Sequence, residues 1–168
     1  MDGLVLVAYA SNHGSTREVA EAISGSLDKA GLRTDLRPVA EVGDLDGYDA
    51  VVLGAPIYMG RWQRHAHAFL RRHHGALADR PLAVFALGPL HDDPKEWSEA
   101  RAQLDTALAR HDVEPCVVEL FGGRVDPSRL HFPFSKIPAG DARDWGAIAA
   151  WGEVLPEALG LRGSPAVV

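Results

Sequence analysis

Apolar residues recur in five short runs, Leu4–Tyr9, Arg33–Arg37, Ala50–Gly54, Leu82–Leu87 and Cys116–Phe121, separated by stretches with a different period. The first, third and fourth are nearly continuous, the pattern of parallel strands covered on both faces. The second alternates, with Thr34 and Leu36 between Arg33, Asp35 and Arg37, and reads as an edge strand. Between the runs the period becomes helical. Thr16–Ala30 sets Val19, Ile23 and Leu27 on one stripe, and Gly31 follows as a natural stop. Three more helices are predicted over Arg64–His73, Glu96–Ala109 and Arg143–Leu159, the last begun by Asp141 or Asp144.

Strands that alternate with helices predict an α/β fold, a doubly wound five-stranded parallel sheet with right-handed crossovers. The length of 168 residues suits one such domain, over residues 1–160, with residues 161–168 as a flexible C-terminal tail. Composition changes little: 46% of residues are hydrophobic and 24% charged, ordinary for a soluble globular protein. No apolar run reaches the roughly 18 residues of a membrane span. No basic region precedes Leu4, so no signal peptide is expected and a cytoplasmic location is. The single Cys116 forbids an internal disulfide.

The net charge of −6 speaks against non-specific nucleic-acid binding. Its distribution is uneven. From Arg61 to His74 there are four arginines, four histidines and no acid. This run is either a solvated helix face or a contact surface for a partner or membrane. The histidines do not form a metal site by spacing: His65 and His67 are two apart, His73 and His74 adjacent, and no carboxylate lies among them.

The first candidate for chemistry is Ser11-Asn12-His13-Gly14-Ser15-Thr16, between the first strand and the first helix. A helix start exposes unpaired N–H groups and partial positive charge, which suits a phosphate. The hydroxyls of Ser11, Ser15 and Thr16 add donors, and Gly14 permits a tight turn. No lysine follows the glycine, so this is not a nucleoside-triphosphate loop, and it lacks the three glycines of a dinucleotide site. An ordinary capped helix start remains the plainer alternative.

Gly54-Ala55-Pro56-Ile57-Tyr58-Met59-Gly60-Arg61-Trp62 follows the third strand and is expected as a loop beside the first. Ile57, Tyr58, Met59 and Trp62 offer surface for a flat ring, or else fold back onto the core. Gly88-Pro89-Leu90-His91-Asp92-Asp93-Pro94 follows the fourth strand and could close over such a ring. His91 would either touch it or be solvated.

The order of strand, S-N-H-G-S-T, helix and G-A-P-I-Y-M-G resembles the flavodoxin family over nearly the whole chain. Within that superfamily the chain is most similar to the flavodoxin-type, menaquinone-dependent protoporphyrinogen oxidases. Ala55-Pro56-Ile57-Tyr58-Met59-Gly60 before a basic helix, and Asp144-Trp145 opening the last helix, carry that similarity. The resemblance implies a flavodoxin-like three-layer sandwich with strand order 2-1-3-4-5 and flavin mononucleotide (FMN) as cofactor. It implies that Ser11, Asn12, His13, Gly14, Ser15 and Thr16 hold the phosphate. The ring would then meet Pro56, Ile57, Tyr58, Met59 and Gly60, with Gly88, Pro89, Leu90 and His91 in the closing loop and Gly122 and Gly123 nearby.

The chain departs from this pattern in two places. Shuttle flavodoxins are more acidic and hold an aromatic residue in the closing loop, but none lies here between Gly88 and Glu96. The segment Gly122–Gly140, with Leu130-His131-Phe132-Pro133-Phe134, is shorter and less basic than in the porphyrinogen-oxidising relatives. It is expected to shield the substrate side of the flavin or to pack on the sheet edge.

The function expected is that of an FMN-dependent oxidoreductase working between a porphyrinogen-like or other aromatic substrate and a quinone or similar acceptor. A non-catalytic FMN electron carrier with a protein redox partner is the alternative, and a domain without flavin is another. The flavin carries the chemistry, with Arg61 and a backbone N–H of Met59 or Gly60 as tuning groups. A phosphoacceptor receiver of the same topology is excluded, because it needs an aspartate where Gly54-Ala55-Pro56 stands. No local signature of a hydrolytic triad is present.

Overall fold

The computed structural model describes residues 3–125 and 139–161. Five parallel strands form the sheet: β1 (Leu4–Tyr9), β2 (Arg33–Pro38), β3 (Ala50–Tyr58), β5 (Leu82–Leu87) and β6 (Val117–Phe121). Their order is β2-β1-β3-β5-β6, which is the expected 2-1-3-4-5 order of the main strands. The direction of winding reverses between β1 and β3, so the loops that follow these two strands lie side by side. β2 pairs on one side only, with β1, as its alternating sequence requires.

Alternate side chains of each buried strand serve opposite faces. Leu6, Ala8, Val51, Leu53, Val84 and Ala86 join one core with Phe69 and Leu70 of α2 (Arg64–Arg72), Leu77 of α3 (His74–Leu77) and Leu104 and Leu108 of α4 (Pro94–Arg110). Val5, Val7, Val52, Ala83 and Phe85 join the other, with Val19, Ile23 and Leu27 of α1 (Ser15–Lys29) and Ile148, Trp151 and Leu155 of α5 (Trp145–Ala158). Phe85, Phe121 and Trp151 meet at ring-centroid distances of 5.7 to 6.1 Å. Gly54 is required by this packing: a Cβ there would lie 1.9 Å from Phe85 Cζ.

One expectation fails. β3 does not end at Gly54 but runs to Tyr58, then turns back as β4 (Arg61–Trp62), with Ile57 opposite Trp62 and Tyr58 opposite Arg61. Gly54 and Pro56 look like strand breakers in the sequence. However, β1 stops alongside Gly54, while β5 continues to Leu87 opposite Pro56. Beyond the end of β1, Pro56 accepts from Gln63 N at 3.0 Å, just after β4, so its missing N–H breaks no bond to β1. A short pair, β7 (Arg124–Val125) with β8 (Gly140–Asp141), also escapes the sequence reading. The stretch Leu130-His131-Phe132-Pro133-Phe134 and residues 162–168 lie outside the described residues.

Candidate functional site

The first-turn N–H groups of α1 are left open by their own loop. The residue before the helix is Gly14, at φ 91°, and no side chain caps the turn. Ser11, which could have served as a cap, instead accepts from Gly14 N at 2.9 Å and closes the preceding turn. Thr16 is fully buried, and its Oγ1 has no hydrogen-bond partner among the described residues. A buried hydroxyl without a partner costs about 1–3 kcal/mol, and a site for an acceptor explains it better than a helix start alone.

Beside this loop lies a cleft of about 240 Å³. Asn12, His13 and Ser15 line it from the first loop, and Pro56, Ile57, Tyr58 and Met59 from the end of β3. Gly88, Leu90 and Gly123 complete the expected set. The hairpin tip is a two-residue turn with both members at positive φ, Met59 at 49° and Gly60 at 77°. Such turns favour Asn-Gly, so an unbranched apolar residue at Met59 is strained. Met59 is nevertheless 71% exposed, and Tyr58 beside it is 39% exposed. The hairpin is tied back to the first loop where Gln63 Nε2 donates to Asn12 Oδ1 at 3.1 Å.

Other expected residues fall elsewhere. Ser11 and Gly14 line a neighbouring depression, and Gly60 and Pro89 a shallow groove that adjoins the cleft at Ile57 and Met59. Trp62 is buried, with its indole N–H donating to Ala55 O at 3.2 Å, so it belongs to the core and not to a ring-binding loop. His91 is exposed and points to Glu96, Nδ1 to Oε2 3.0 Å, outside the cleft lining. Gly122 faces Ala142, whose carbonyl oxygen would stand 2.1 Å from an added Cβ. Arg61 also departs from expectation, since it lines a separate groove on the other side of the hairpin.

Several cleft residues gave no sequence signal. Glu96 lines the cleft and staples its closing loop, accepting from Leu90 N at 2.7 Å. That backbone donor holds the Glu96 carboxyl below its ordinary range, so it is a carboxylate at neutral pH. Arg124 also lines the cleft and approaches Glu18 at 3.6 Å and Asp141 at 4.0 Å. Behind the loop, Arg143 donates to Ser15 O at 3.3 Å and to Asp141 Oδ2 at 2.9 Å. Their partners lie more than a hundred positions away in the chain for Glu18 and Ser15, beyond the reach of any local motif.

The flavodoxin domain family matches residues 6–136. Among named relatives, protoporphyrinogen IX dehydrogenase (quinone) of Escherichia coli K12 is 26% identical over 93 residues, covering 54% of this chain and 51% of its own. An NAD(P)H dehydrogenase (quinone) of Caulobacter vibrioides NA1000 is 30% identical over 109 residues, covering 52% of this chain and 51% of its own. The chain thus spans about half the length of these relatives. The flavodoxin of Streptococcus pneumoniae TIGR4 superposes with a TM-score of 0.58 at 18% identity, over 94% of this chain and 98% of that one. The Flv1 flavodiiron core from Synechocystis sp. PCC6803 gives 0.60 at 16% identity, over 94% and 36%. At such identities the structural matches speak for the fold alone. Among the described residues no helix is long and apolar enough to cross a membrane.

Proposed function

The chain belongs to the flavodoxin domain family, and from that premise we propose that its cleft binds FMN and that the protein is an oxidoreductase. Its substrate would be a small reduced molecule, porphyrinogen-like or otherwise aromatic, and its acceptor a quinone or similar compound. The observation that carries the reading is the buried, partnerless Thr16 hydroxyl at the uncapped start of α1. It stands in the first turn of α1, directly after the loop whose Asn12 and His13 line a cleft walled by exposed Tyr58 and Met59.

A phosphate fits these residues. The open N–H groups of the first turn, the Thr16 hydroxyl and the positive end of the helix all favour an anion. Tyr58, Met59 and Leu90 supply apolar surface that a flat ring would cover, which removes an exposed patch from water. When bound, the flavin supplies reversible electron transfer through its ring. Glu96 and Arg124 line the cleft with opposite charges. A negative charge gained there is opposed by the first and favoured by the second.

The test is an absorbance spectrum after incubation with excess FMN and gel filtration. Bands near about 370 and 450 nm that travel with the protein support the reading. Flavin found only in the small-molecule fractions overturns it. Turnover with a soluble quinone then separates an enzyme from an electron carrier.

A further inference from the structure

The basic run is largely solvated, with Arg61, Arg64, His65, Arg71, Arg72 and His74 exposed, but one part of it borders a groove. Arg61 of β4, Arg64 of α2 and Arg110 of α4 come together on one groove of about 630 Å³, walled by Trp62, His67 and Gln103. No acidic side chain lines it. Several other arginines are matched: Arg17 with Glu21, Arg37 with Asp35, Arg101 with Asp105, Arg124 with Glu18 and Arg143 with Asp141. Among the described residues Arg61, Arg64 and Arg110 have no ion pair and no hydrogen bond. Three unpaired guanidiniums from three elements, in a concave site and with net charge negative elsewhere, are matched by an anion with more than one charged oxygen. Burial first, then neighbouring His111, Arg110 and Arg71, pushes the His67 imidazole downward.

The groove is not isolated from the cleft. Gly60 and Gln103 line both it and the shallow groove that shares Ile57, Met59, Gly88 and Glu96 with the cleft. Gly60 lacks a side chain, and the position of an added Cβ would lie only 3.5 Å from Gln103 Nε2. The shallow groove, also lined by Glu96 and Glu99, thus connects the two sites past Gly60.

We propose that this groove holds the anionic end of the redox substrate, a small molecule bearing two or more phosphate or carboxylate groups, whose other end reaches the cleft across the Met59–Gly60 turn. The assignment rests on the flavin reading for the substrate's reacting end. The anion site itself stands on the arginine geometry alone. Arg61 thereby acquires a role in substrate binding in place of flavin tuning.

The test is calorimetric titration of the full chain with pyrophosphate, with and without bound FMN, so that the loop before α1 is occupied in one case. One saturable site is expected on the flavin-loaded protein, weakened at least about tenfold in Arg64→Gln/Arg110→Gln. It should be unchanged in Arg101→Gln, which alters a paired arginine of the same helix. Melting curves of each variant establish that it is folded. No saturable binding to the loaded protein, or equal loss in Arg101→Gln, overturns the site. Binding to phosphatidylglycerol vesicles without binding to pyrophosphate also overturns it, in favour of a membrane surface. Pyrophosphate binding by a protein that takes up no flavin removes the substrate role while leaving the anion site, and so marks failure of the flavin reading and not of the groove.

Discussion

Arg143 Nη1 lies 3.3 Å from the carbonyl oxygen of Ser15, although 128 residues separate them in the chain. The arginine side chain is only 4% exposed and also meets Asp141 and Glu18, so it bolts the start of α5 to the start of α1. Arg143→Ala is expected to lower stability by about 1–3 kcal/mol and to weaken FMN uptake by loosening the loop before α1. Urea unfolding and flavin titration check both. The hydrogen bond from Arg143 is the first cause that holds the Asp141 carboxyl below the usual carboxylate range. That contribution is present above the ordinary value near about 4 and is lost as pH falls through the lower folded one. The gap between wild type and variant should therefore be wider at pH 7 than at pH 3, though solvent screening at half-exposed Asp141 narrows it. A gap that does not change with pH would assign the effect to packing alone.

Thr16→Val separates structure from ligand. The change removes a buried hydroxyl without a partner and keeps the shape. The flavin-free protein should melt at the same temperature or higher, because no hydrogen bond is lost. FMN affinity should fall roughly tenfold, the value of one hydrogen bond to a charged oxygen. Unchanged affinity would remove Thr16 from the proposed phosphate site.

Met59 stands at φ 49° in a turn that suits asparagine. Met59→Asn should raise stability by up to about 1 kcal/mol, or roughly 2–4 °C in melting temperature for a chain of this size. The same change removes exposed apolar surface from the cleft wall and should weaken flavin binding. Stabilisation with flavin binding intact would mean that Met59 does not face the ring.

Acid should weaken the fold before the carboxylates titrate. His67 Nδ1 and His111 Nε2 are 2.6 Å apart, a spacing at which one ring must donate and the other accept. Burial first, then neighbouring positive charge, pushes both imidazoles down, and His73 likewise. An unfolded histidine takes up its proton near about pH 6.5, the folded one only at lower pH. Stability is thus complete above that value and is lost as pH falls toward the folded one. Urea midpoints at pH 7.5, 6.5 and 5.5 should decline, and less steeply in His111→Gln. Equal slopes in the two proteins would exclude the pair as the cause.

Much of this was legible in the chain. Continuous apolar runs marked the buried strands, alternation marked β2 as the edge, and the stripe of Val19, Ile23 and Leu27 marked the buried face of α1. These features follow from burial, which acts residue by residue with the period of the element and so writes itself into local sequence. The loop before α1 was legible as a candidate anion site because its polar residues are consecutive. The hairpin beyond Gly54 was not, because whether Pro56 breaks a strand depends on where the neighbouring strand ends. Nor could sequence order separate Trp62, buried against Ala55, from Tyr58 and Met59, which stay in the open.

The long-range charges were decided last and only in three dimensions. Arg143 beneath Ser15, Glu96 under Leu90 and the convergence of Arg61, Arg64 and Arg110 all depend on which helix ends the sheet brings together. The sequence by itself determined the elements, their order and the loop where an anion can sit. Tertiary structure alone decided which distant charges are paired, because Coulomb interactions between separate elements act over distances in space that carry no period along the chain.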